Sequence, residues 1–243
     1  MKEEAKRRLV FPLDVAEEKE ALYWVNKLRD WVGTFKIGLE LFCSCGPQII
    51  KKVKEEGAEK IFLDLKLNDI PNTILRTVRQ ISQLDVDWVT VHTLSGRESL
   101  KAAVNSAYSG LKIIGVTILT SLGRADLMEL GFNGELIREV KELVFHLAKI
   151  VSSVGCDGIV CSPKEVSRIK EYFPELMTIV PGIRLKENKD DQIRIATPYE
   201  AVKSGADYLV VGRPIREAFS PIEVCKEIHS QILQAIEELG KND

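Results

Sequence analysis

The sequence predicts a single (β/α)₈ barrel, because three features of the 243-residue chain agree. Short apolar runs rich in β-branched residues alternate with longer amphipathic segments, and there are eight of each. The strand candidates are apolar on both faces and recur about every 30 residues, which is typical of a parallel sheet covered by helices. An open doubly wound sheet usually has a glycine-rich turn after its first strand, and residues 13–16 contain no glycine. Length and strand count therefore favour one barrel domain over residues 1–243.

The individual elements follow from this alternation. Strands are predicted at 9–14, 33–38, 60–65, 87–92, 111–118, 157–161, 177–181 and 207–211. Helices are predicted at 17–32, 44–56, 71–84, 97–109, 136–153, 163–172, 198–204 and 221–239. Ser162-Pro163, Thr197-Pro198 and Ser220-Pro221 are helix-start signals, because proline suits the first helical turn. The charged residues 1–8 precede the first strand and are expected to form a solvated arm.

The composition argues against several classes of protein. With 34 basic and 36 acidic residues, the formal net charge is −2, which gives no reason to expect nucleic acid as a partner. The five cysteines have no zinc-site spacing and the three histidines are dispersed, so no metal is expected. No apolar run approaches 18 residues and no signal peptide is evident, so we expect a cytoplasmic protein that does not bind a membrane.

The stretch 61–73 carries an unusual charge pattern at the end of the third predicted strand. Residues two apart share a face of a strand, so Asp64 and Lys66 should point the same way. Asp69 lies beyond the strand, on the turn into the next helix. Such an array is costly unless a cation lies between the acids. The alternative is a strand end with ordinary surface charges.

Lys36 is the second candidate, because it lies in an apolar strand. A lysine that faces into a barrel needs a carboxylate or a substrate partner, since an unpaired buried cation is costly. Asp14, at the end of the first strand, is the expected partner. Alternatively, the side chain of Lys36 extends outward to solvent at the strand end.

The last two strands end in features typical of phosphate sites. In barrels, the loops after strands 7 and 8 frequently bind phosphate through backbone N–H groups. Gly212 would let the backbone approach an anion, and Arg213 offers a planar donor fork. Arg184, in Pro181-Gly182-Ile183-Arg184, adds a second arginine after the preceding strand. The alternative is a glycine-terminated strand followed by a surface arginine.

Two further features are left without a catalytic role. His92 ends the fourth strand, and a histidine that only packs and bonds locally is at least as good an interpretation as a general base. Residues 120–135 form the longest non-periodic connection, which is typical of a mobile cover over an active site.

From Leu13 to Ile215 the chain resembles the orotidine 5′-phosphate decarboxylase family. The motifs that carry the resemblance are Leu13-Asp14-Val15, Lys36-Ile37-Gly38, the block from Asp64 to Thr73, Pro181-Gly182-Ile183-Arg184, Asp191-Gln192 and Val211-Gly212-Arg213-Pro214-Ile215. The block D-x-K-x-x-D-I-P-N-T is highly specific to this family, whereas D-x-K-x-x-D alone also occurs in related sugar-phosphate enzymes.

The resemblance implies cofactor-free decarboxylation of orotidine 5′-monophosphate to UMP, the last step of de novo pyrimidine nucleotide synthesis. It implies that Lys66 protonates C6 of the pyrimidine, while Asp64 and Asp69 hold Lys66 and crowd the leaving carboxylate. The implied substrate-binding residues are Asp14 and Lys36 at the ribose, Thr120 at the pyrimidine, and Arg184, Gln192, Gly212 and Arg213 around the phosphate, with Ile70, Thr73 and Pro181 also at the site. Asp69 and Thr73 would reach into the site of a neighbouring subunit, so a homodimer is implied.

Two departures from the family pattern stand out. Pro12 precedes Leu13-Asp14 where relatives more often have alanine, and proline removes one ladder donor, which puts the local register in question. The loop between Arg184 and Asp191 lacks a glycine common in relatives, which puts the placement of Gln192 in question.

The sequence is also compatible with two other functions. The nearest is a Mg²⁺-dependent decarboxylase or aldolase of open-chain sugar phosphates, against which Ile70-Pro71-Asn72-Thr73 argues. The other is a non-catalytic barrel that binds nucleotides, against which the complete charged array argues.

Overall fold

Eight parallel strands form a closed barrel in which each strand pairs with the next and the eighth pairs with the first. The computed structural model describes residues 2–108, 110–134, 139–185 and 195–241. The strands are β1 (Leu9–Pro12), β2 (Thr34–Gly38), β3 (Lys60–Leu67), β4 (Trp88–His92), β5 (Lys112–Val116), β6 (Gly158–Val160), β7 (Met177–Val180) and β8 (Tyr208–Val210). The predicted (β/α)₈ barrel is confirmed. Most strands are shorter than predicted, whereas β3 extends two residues further.

The helices surround the barrel in the order that the sequence predicts. They are α1 (Lys2–Arg8), α2 (Glu18–Leu28), α3 (Leu39–Cys45), α4 (Gln48–Glu55), α5 (Pro71–Ile81), α6 (Arg97–Ser106), α7 (Arg124–Glu129), α8 (Val140–Ser153), α9 (Val166–Tyr172), α10 (Pro198–Lys203), α11 (Arg213–Arg216) and α12 (Pro221–Leu239). The segment predicted as one helix at 44–56 is divided at Gly46-Pro47, and a 3₁₀ turn spans Thr93–Ser95.

The helix-start signals are only partly confirmed. Thr197 caps α10: its hydroxyl accepts a hydrogen bond from the Glu200 N–H at 3.2 Å, and the Glu200 carboxylate accepts one from the Thr197 N–H at 2.8 Å. Pro198 and Pro221 each lie in a first helical turn. Pro163 does not, because α9 begins at Val166.

Two apolar cores support the barrel. The larger core fills the space between strands and helices, as expected for strands that are apolar on both faces. The smaller lies inside the barrel and consists of Val10, Phe62, Trp88, Ile114 and Ile179. The inner core closes the barrel floor, so the open volume lies above it, at the carboxyl ends of the strands.

The N-terminal segment is not a solvated arm, and that prediction is wrong. Residues 2–8 form α1, in which Ala5 and Lys6 are buried. The Lys6 ammonium pairs with Glu59, and Arg8 donates to the Ala206 carbonyl at 3.0 Å. The Gly33 N–H donates to the Lys6 carbonyl at 2.9 Å, so α1 is joined to the barrel by its backbone as well. Local charge does not reveal this docking, because the partners lie far away in sequence.

Three aspartates join neighbouring strands in pairs at the amino end of the barrel: β3 with β4, β5 with β6, and β7 with β8. Asp87, Asp157 and Asp207 each precede a strand and accept a hydrogen bond at 2.8 Å from a backbone N–H near the start of the previous strand. The donors are Ile61 in β3, Ile113 in β5 and Thr178 in β7. This repeated contact belongs to the end of the barrel that stabilises the fold.

The register of β1 is regular despite its proline. Val10, Phe11 and Pro12 pair with Thr34, Phe35 and Lys36 in unbroken sequence. The ladder then continues, because the Leu13 N–H donates to the Lys36 carbonyl at 2.8 Å. Pro12 therefore leaves the position of Asp14 unchanged, two residues beyond the end of β1.

Candidate active site

A cavity of about 250 Å³ opens at the carboxyl ends of the strands. Its floor and walls combine four charged side chains with a larger apolar surface. The lining residues are Pro12, Asp14, Lys36, Phe62, Asp64, Lys66, Val116, Ile118, Leu119, Thr120, Val160, Cys161, Ile179, Pro181 and Val210. The cavity draws on seven of the eight strands or the residues that follow them.

The four charged side chains form one connected array. The Asp64 carboxylate oxygen Oδ2 lies 2.9 Å from Lys66 Nζ and 3.3 Å from Lys36 Nζ. Lys36 Nζ also lies 3.3 Å from Asp14 Oδ1. The predicted partnership of Lys36 with Asp14 is therefore present, and Asp64 joins it. The side chain of Lys36 is only 12% exposed, so it does not extend outward to solvent.

The environment of Asp64 keeps its carboxylate charged. Burial by itself would raise the pKa of Asp64, but the positive charges of Lys36 and Lys66 oppose this effect. Hydrogen bonds from Lys66 and Thr90 act in the same direction, and the net result is a lowered pKa. Asp64 is thus a buried anion held between two cations.

The end of β3 is irregular where Asp64 and Lys66 lie. Leu63 pairs with Val89 and Leu67 pairs with Val91, so residues 64–66 face Thr90 alone. Lys66 adopts a left-handed backbone conformation with φ of 48°, which is uncommon for a residue with a Cβ. The predicted common orientation of Asp64 and Lys66 is confirmed, but a bulge produces it rather than a regular strand alternation.

Thr90 is a polar residue at this site that the sequence reasoning missed. Its hydroxyl accepts a hydrogen bond from the Lys66 N–H at 2.7 Å and donates one to Asp64 Oδ1 at 3.0 Å. The available signal was alternation within β4, which places Thr90 on the same face as His92, two residues later.

The apolar wall of the cavity was also missed. Phe62, Val116, Val160, Ile179 and Val210 lie in the predicted strands, and none of them was assigned to the site from the sequence. Only the closed barrel shows that their upper surfaces face an open volume. An apolar wall beside charged groups lowers the local dielectric and strengthens the interactions between charges.

Cys161 lines the same cavity but is not suited to act as a nucleophile. Burial raises the pKa of its thiol well above the ordinary value, and the charges of Glu165 and Asp207 raise it further. The protonated thiol is a poor nucleophile and acts as an apolar wall residue here.

Thr120 and Pro181 both line the cavity. Four residues were predicted around the phosphate, and the three of them that the structure describes are not part of the cavity wall. Arg184 follows β7, with its N–H donating to the Ala196 carbonyl at 3.0 Å. Gly212 precedes α11, which begins at Arg213. Gln192 lies outside the described residues.

The position of Gly212 has a packing reason. A Cβ at Gly212 would lie 2.8 Å from Pro12 Cγ, which is too close for a non-bonded contact. Glycine therefore permits β1 and the start of α11 to approach each other, whatever binds nearby.

Asp69, Ile70 and Thr73 are not part of this cavity. Asp69 and Ile70 line a separate open hollow, together with residues near the start of α6. Asp69 accepts a hydrogen bond from the Ile70 N–H at 2.7 Å, and no hydrogen bond or ion pair joins it to Lys66 in the described part of the chain. Ile70 is 66% exposed, and Thr73 is also exposed at the start of α5.

His92 makes the local interactions that were one interpretation of the sequence. Its Nδ1 accepts a hydrogen bond from the Leu94 N–H at 3.3 Å, which caps the 3₁₀ turn. Burial and then the charge of Lys66 lower the pKa of His92. A neutral imidazole beside Lys66 adds no positive charge to the cavity.

The connection after β5 has more structure than the sequence suggests. It contains α7, whose start is capped when the Gly123 N–H donates to the Asp126 carboxylate at 2.7 Å. The end of the predicted cover, residue 135, lies outside the described residues.

Metal-binding clusters and membrane-spanning helices are both absent from the described residues. No group of three or more His, Cys, Asp or Glu side chains is placed to hold a metal ion among them. None of the described helices combines the length and the low charge that a membrane span requires.

Comparison with known proteins agrees with the geometry of the site. Residues 7–228 match the model of the "Orotidine 5'-phosphate decarboxylase / HUMPS family". A protein named orotidine 5′-phosphate decarboxylase from Desulfosudis oleivorans is 44% identical, over 92% of this chain and 94% of its own length. One of the same name from Wolbachia pipientis is 46% identical, over 88% and 93% respectively. The crystal structure of orotidine 5′-phosphate decarboxylase from Lactobacillus acidophilus superposes with a TM-score of 0.78 at 33% identity, covering 93% of this chain and 99% of that one.

Proposed function

The chain belongs to the orotidine 5′-phosphate decarboxylase / HUMPS family, and from this premise we propose that it converts orotidine 5′-monophosphate to UMP and CO₂. The observation that carries the proposal is the buried Asp64 carboxylate between Lys36 and Lys66 in the lining of a cavity. The sugar-phosphate alternative is not favoured, because relatives that are 42–46% identical are named orotidine 5′-phosphate decarboxylase.

The charged array suits a reaction that generates a carbanion at C6 of the pyrimidine. Loss of CO₂ leaves an electron pair on C6, with no adjacent carbonyl or cofactor to delocalise it. Fixed positive charge and a ready proton stabilise such an anion. Lys66 supplies both: its ammonium donates a proton to C6 as the C6–CO₂ bond breaks, and UMP is the product.

Asp64 has two roles in this scheme. It holds the Lys66 ammonium at 2.9 Å, and its negative charge lies where the substrate carboxylate must approach. Two like charges about 3–4 Å apart repel by about 4–5 kcal/mol at an effective dielectric near 20. The repulsion disappears as CO₂ leaves, while the attraction of Lys66 for the developing carbanion grows.

The remaining predicted residues bind the rest of the nucleotide in this proposal. Asp14 and Lys36 contact the ribose hydroxyls, and Thr120 contacts the pyrimidine. The phosphate binds around Arg184, Gln192, Gly212 and Arg213, and Pro181 forms part of the wall. In support, Lys36 lies in β2 and the other described members follow β1, β5, β7 and β8, which end on the same side of the barrel. Binding energy from the phosphate is then available to hold the pyrimidine against Asp64.

The family relationship supports a role in pyrimidine biosynthesis. We further propose that the reaction requires no cofactor or metal ion and takes place in the cytoplasm. Chelator sensitivity separates this proposal from the Mg²⁺-dependent sugar-phosphate enzyme. Turnover of orotidine 5′-monophosphate should be unchanged by EDTA, whereas activity that is abolished by EDTA and restored by Mg²⁺ would favour the alternative.

The decisive experiment follows the ultraviolet absorbance of orotidine 5′-monophosphate on mixing with purified protein. We expect turnover in the wild type and a loss of at least about 10⁴-fold in kcat for Lys66→Ala, because the proton donor and its charge are both removed. Lys51→Ala is the matched control: that side chain is 81% exposed on α4, far from the cavity, and its loss should change nothing. Circular dichroism should show that both variants are folded. No turnover by micromolar wild-type enzyme would refute the proposed function.

We also propose a homodimer in which Asp69, Ile70 and Thr73 complete the site of the partner. In support, all three residues are exposed. The Asp69 carboxylate accepts a hydrogen bond from the Ile70 N–H and does not contact Lys66 of its own chain in the described residues.

A further inference from the structure

Thr90 occupies a special position, because its hydroxyl is bonded to both members of the proposed Asp64–Lys66 pair. It is fully buried inside the barrel. It is the one residue of β4 that faces the three-residue bulge at 64–66. At this bulge the Lys66 N–H donates to Thr90 Oγ1 at 2.7 Å.

The direction of both hydrogen bonds is fixed by chemistry. A backbone N–H can only donate, so Thr90 Oγ1 accepts from Lys66. An ionised carboxylate can only accept, so the Thr90 hydroxyl proton points to Asp64 Oδ1, 3.0 Å away. With one acceptor and one donor role filled, the hydroxyl is locked in orientation.

Because of this hydroxyl, the two oxygens of the Asp64 carboxylate have different partners. Oδ1 is held by Thr90, and Oδ2 faces both Lys66 and Lys36. Rotation of the carboxylate would break the Thr90 bond, so Oδ2 stays directed at the two ammonium groups. At the same time, the Lys66 backbone is held at φ of 48°, a left-handed conformation that is strained for a residue with a Cβ.

We propose that Thr90 is a positioning residue for the decarboxylation, which fixes Lys66 through its backbone and Asp64 through its carboxylate. The inference rests on the proposed function. Thr90 itself is not among the residues that line the cavity in the described part of the chain, so it acts through its two partners. A displacement of the reacting groups by about 1 Å can reduce a rate by about 10²-fold.

The test compares three variants of nearly equal size. Thr90→Val keeps the shape and removes the hydroxyl, and should lower kcat by about 10- to 100-fold with a smaller change in KM. Thr90→Ser restores the hydroxyl and should recover kcat to within about threefold of wild type. Thr178→Val is the control, because Thr178 makes the same pair of hydrogen bonds at the other end of the barrel. Its hydroxyl accepts from the Asp207 N–H and donates to the Asp207 carboxylate, each at 3.0 Å.

A purely structural role predicts a different outcome. In that case Thr90→Val and Thr178→Val would lose similar stability in urea, and both would retain the wild-type kcat per folded molecule. Equal kcat values for Thr90→Val and wild type would overturn the proposal, as would a failure of Thr90→Ser to recover activity while it stays folded.

A readout without turnover separates this inference from the proposed function. The ¹³C resonance of the Asp64 carboxylate can be titrated in wild type and in both Thr90 variants, with Asp64→Asn to assign the signal. Loss of the hydroxyl should move the pKa of Asp64 upward in Thr90→Val and leave it near the wild-type value in Thr90→Ser, because the Thr90 hydrogen bond favours the charged form. An unchanged titration in Thr90→Val would overturn the positioning role, whereas absence of wild-type turnover would refute only the proposed reaction.

Discussion

The carboxylate of Asp64 is 9% exposed and lies within 3.3 Å of two lysine ammonium groups. Burial of a charge is costly, and removal of one member of a buried ion pair leaves the other without compensation. At the residue scale, Asp64 therefore links the stability of the fold to the electrostatics of the cavity.

Asp64→Asn tests this link through the pH dependence of stability. The folded-state pKa of Asp64 is lowered below its ordinary value of 3.8, so its contribution to stability is complete above that pH and is lost as the pH falls through the folded pKa. Urea unfolding from pH 7 to pH 2 should show a steeper loss of stability below about pH 4 in the wild type than in Asp64→Asn. At pH 7 the variant should be less stable by about 3 kcal/mol. Parallel pH profiles for the two proteins would contradict the lowered pKa.

Residue-scale features of the site are only partly visible in the sequence. The spacing of Asp64 and Lys66 and the strand-end position of Lys36 indicate a shared site. Thr90 does not stand out, because a threonine inside an apolar strand is an ordinary β-former. Alternation within β4 gives the face on which Thr90 lies, but its hydrogen bond with the Lys66 N–H spans 24 residues of sequence and is not encoded locally.

The elements are joined at the amino end of the barrel by a repeated turn. The turns before β4, β6 and β8 each contain a residue of positive φ, two positions before an aspartate: Asp85, Gly155 and Gly205. The aspartates then accept hydrogen bonds from β3, β5 and β7. Asp85 occupies the position that glycine occupies in the other two turns. Aspartate tolerates the left-handed conformation there because its short polar side chain can form local hydrogen bonds.

Asp157→Ala tests the contribution of this repeat at the element scale. The change leaves the buried Ile113 N–H without its acceptor, so we expect a loss of about 1–3 kcal/mol in the free energy of unfolding. Decarboxylation per folded molecule should be unchanged, because Asp157 precedes β6 at the end of the barrel opposite the cavity. Urea unfolding and steady-state kinetics on the same sample measure both quantities.

Asp30→Ala is the control for that measurement. Asp30 is an exposed aspartate after α2, and its replacement should change stability by less than about 0.5 kcal/mol. An equal change in stability for the two substitutions would show that the hydrogen bond from Ile113 to Asp157 contributes nothing. A loss of kcat in Asp157→Ala would contradict the assignment of stability to the amino end and catalysis to the carboxyl end of the barrel.

At the scale of the whole molecule, the array in the cavity lacks Asp69, which faces the surface. In one chain, Lys66 has Asp64 as its partner and Asp69 lines a separate hollow. A symmetric dimer places the same surface of each subunit against the other, so residues near that surface can complete the opposite site.

Mixing of Asp69→Ala with Lys66→Ala protein tests the proposed sharing. Each homodimer should be nearly inactive, whereas a hybrid dimer would have one site with both changes and one site with neither. Random exchange of equal amounts makes about half of the dimers hybrid, so about a quarter of wild-type activity should appear. Sedimentation and differently tagged subunits verify dimer formation and exchange. Demonstrated exchange without recovered activity would argue that the site is not shared.

The sequence by itself determined the eight-fold alternation of strands and helices and the identity of the charged residues at the strand ends. Both are carried by local patterns: hydrophobic periodicity fixes the type of element, and a parallel barrel brings all carboxyl ends of the strands together. From these two facts Asp14, Lys36, Asp64 and Lys66 could be assigned to one site. Thr120 and Pro181 were assigned to it by the family resemblance, and all six residues line the cavity.

Only the tertiary structure decided the bulge in β3, the hydrogen bonds of Thr90, the separation of Asp69 from Lys66 within one chain and the docking of α1. Each depends on contacts between segments that are distant in sequence. The cost of a left-handed Lys66 or of a buried Lys6 is offset only by partners such as Thr90 and Glu59, which approach when the barrel closes. Local propensity cannot report such compensation, because it arises from long-range packing.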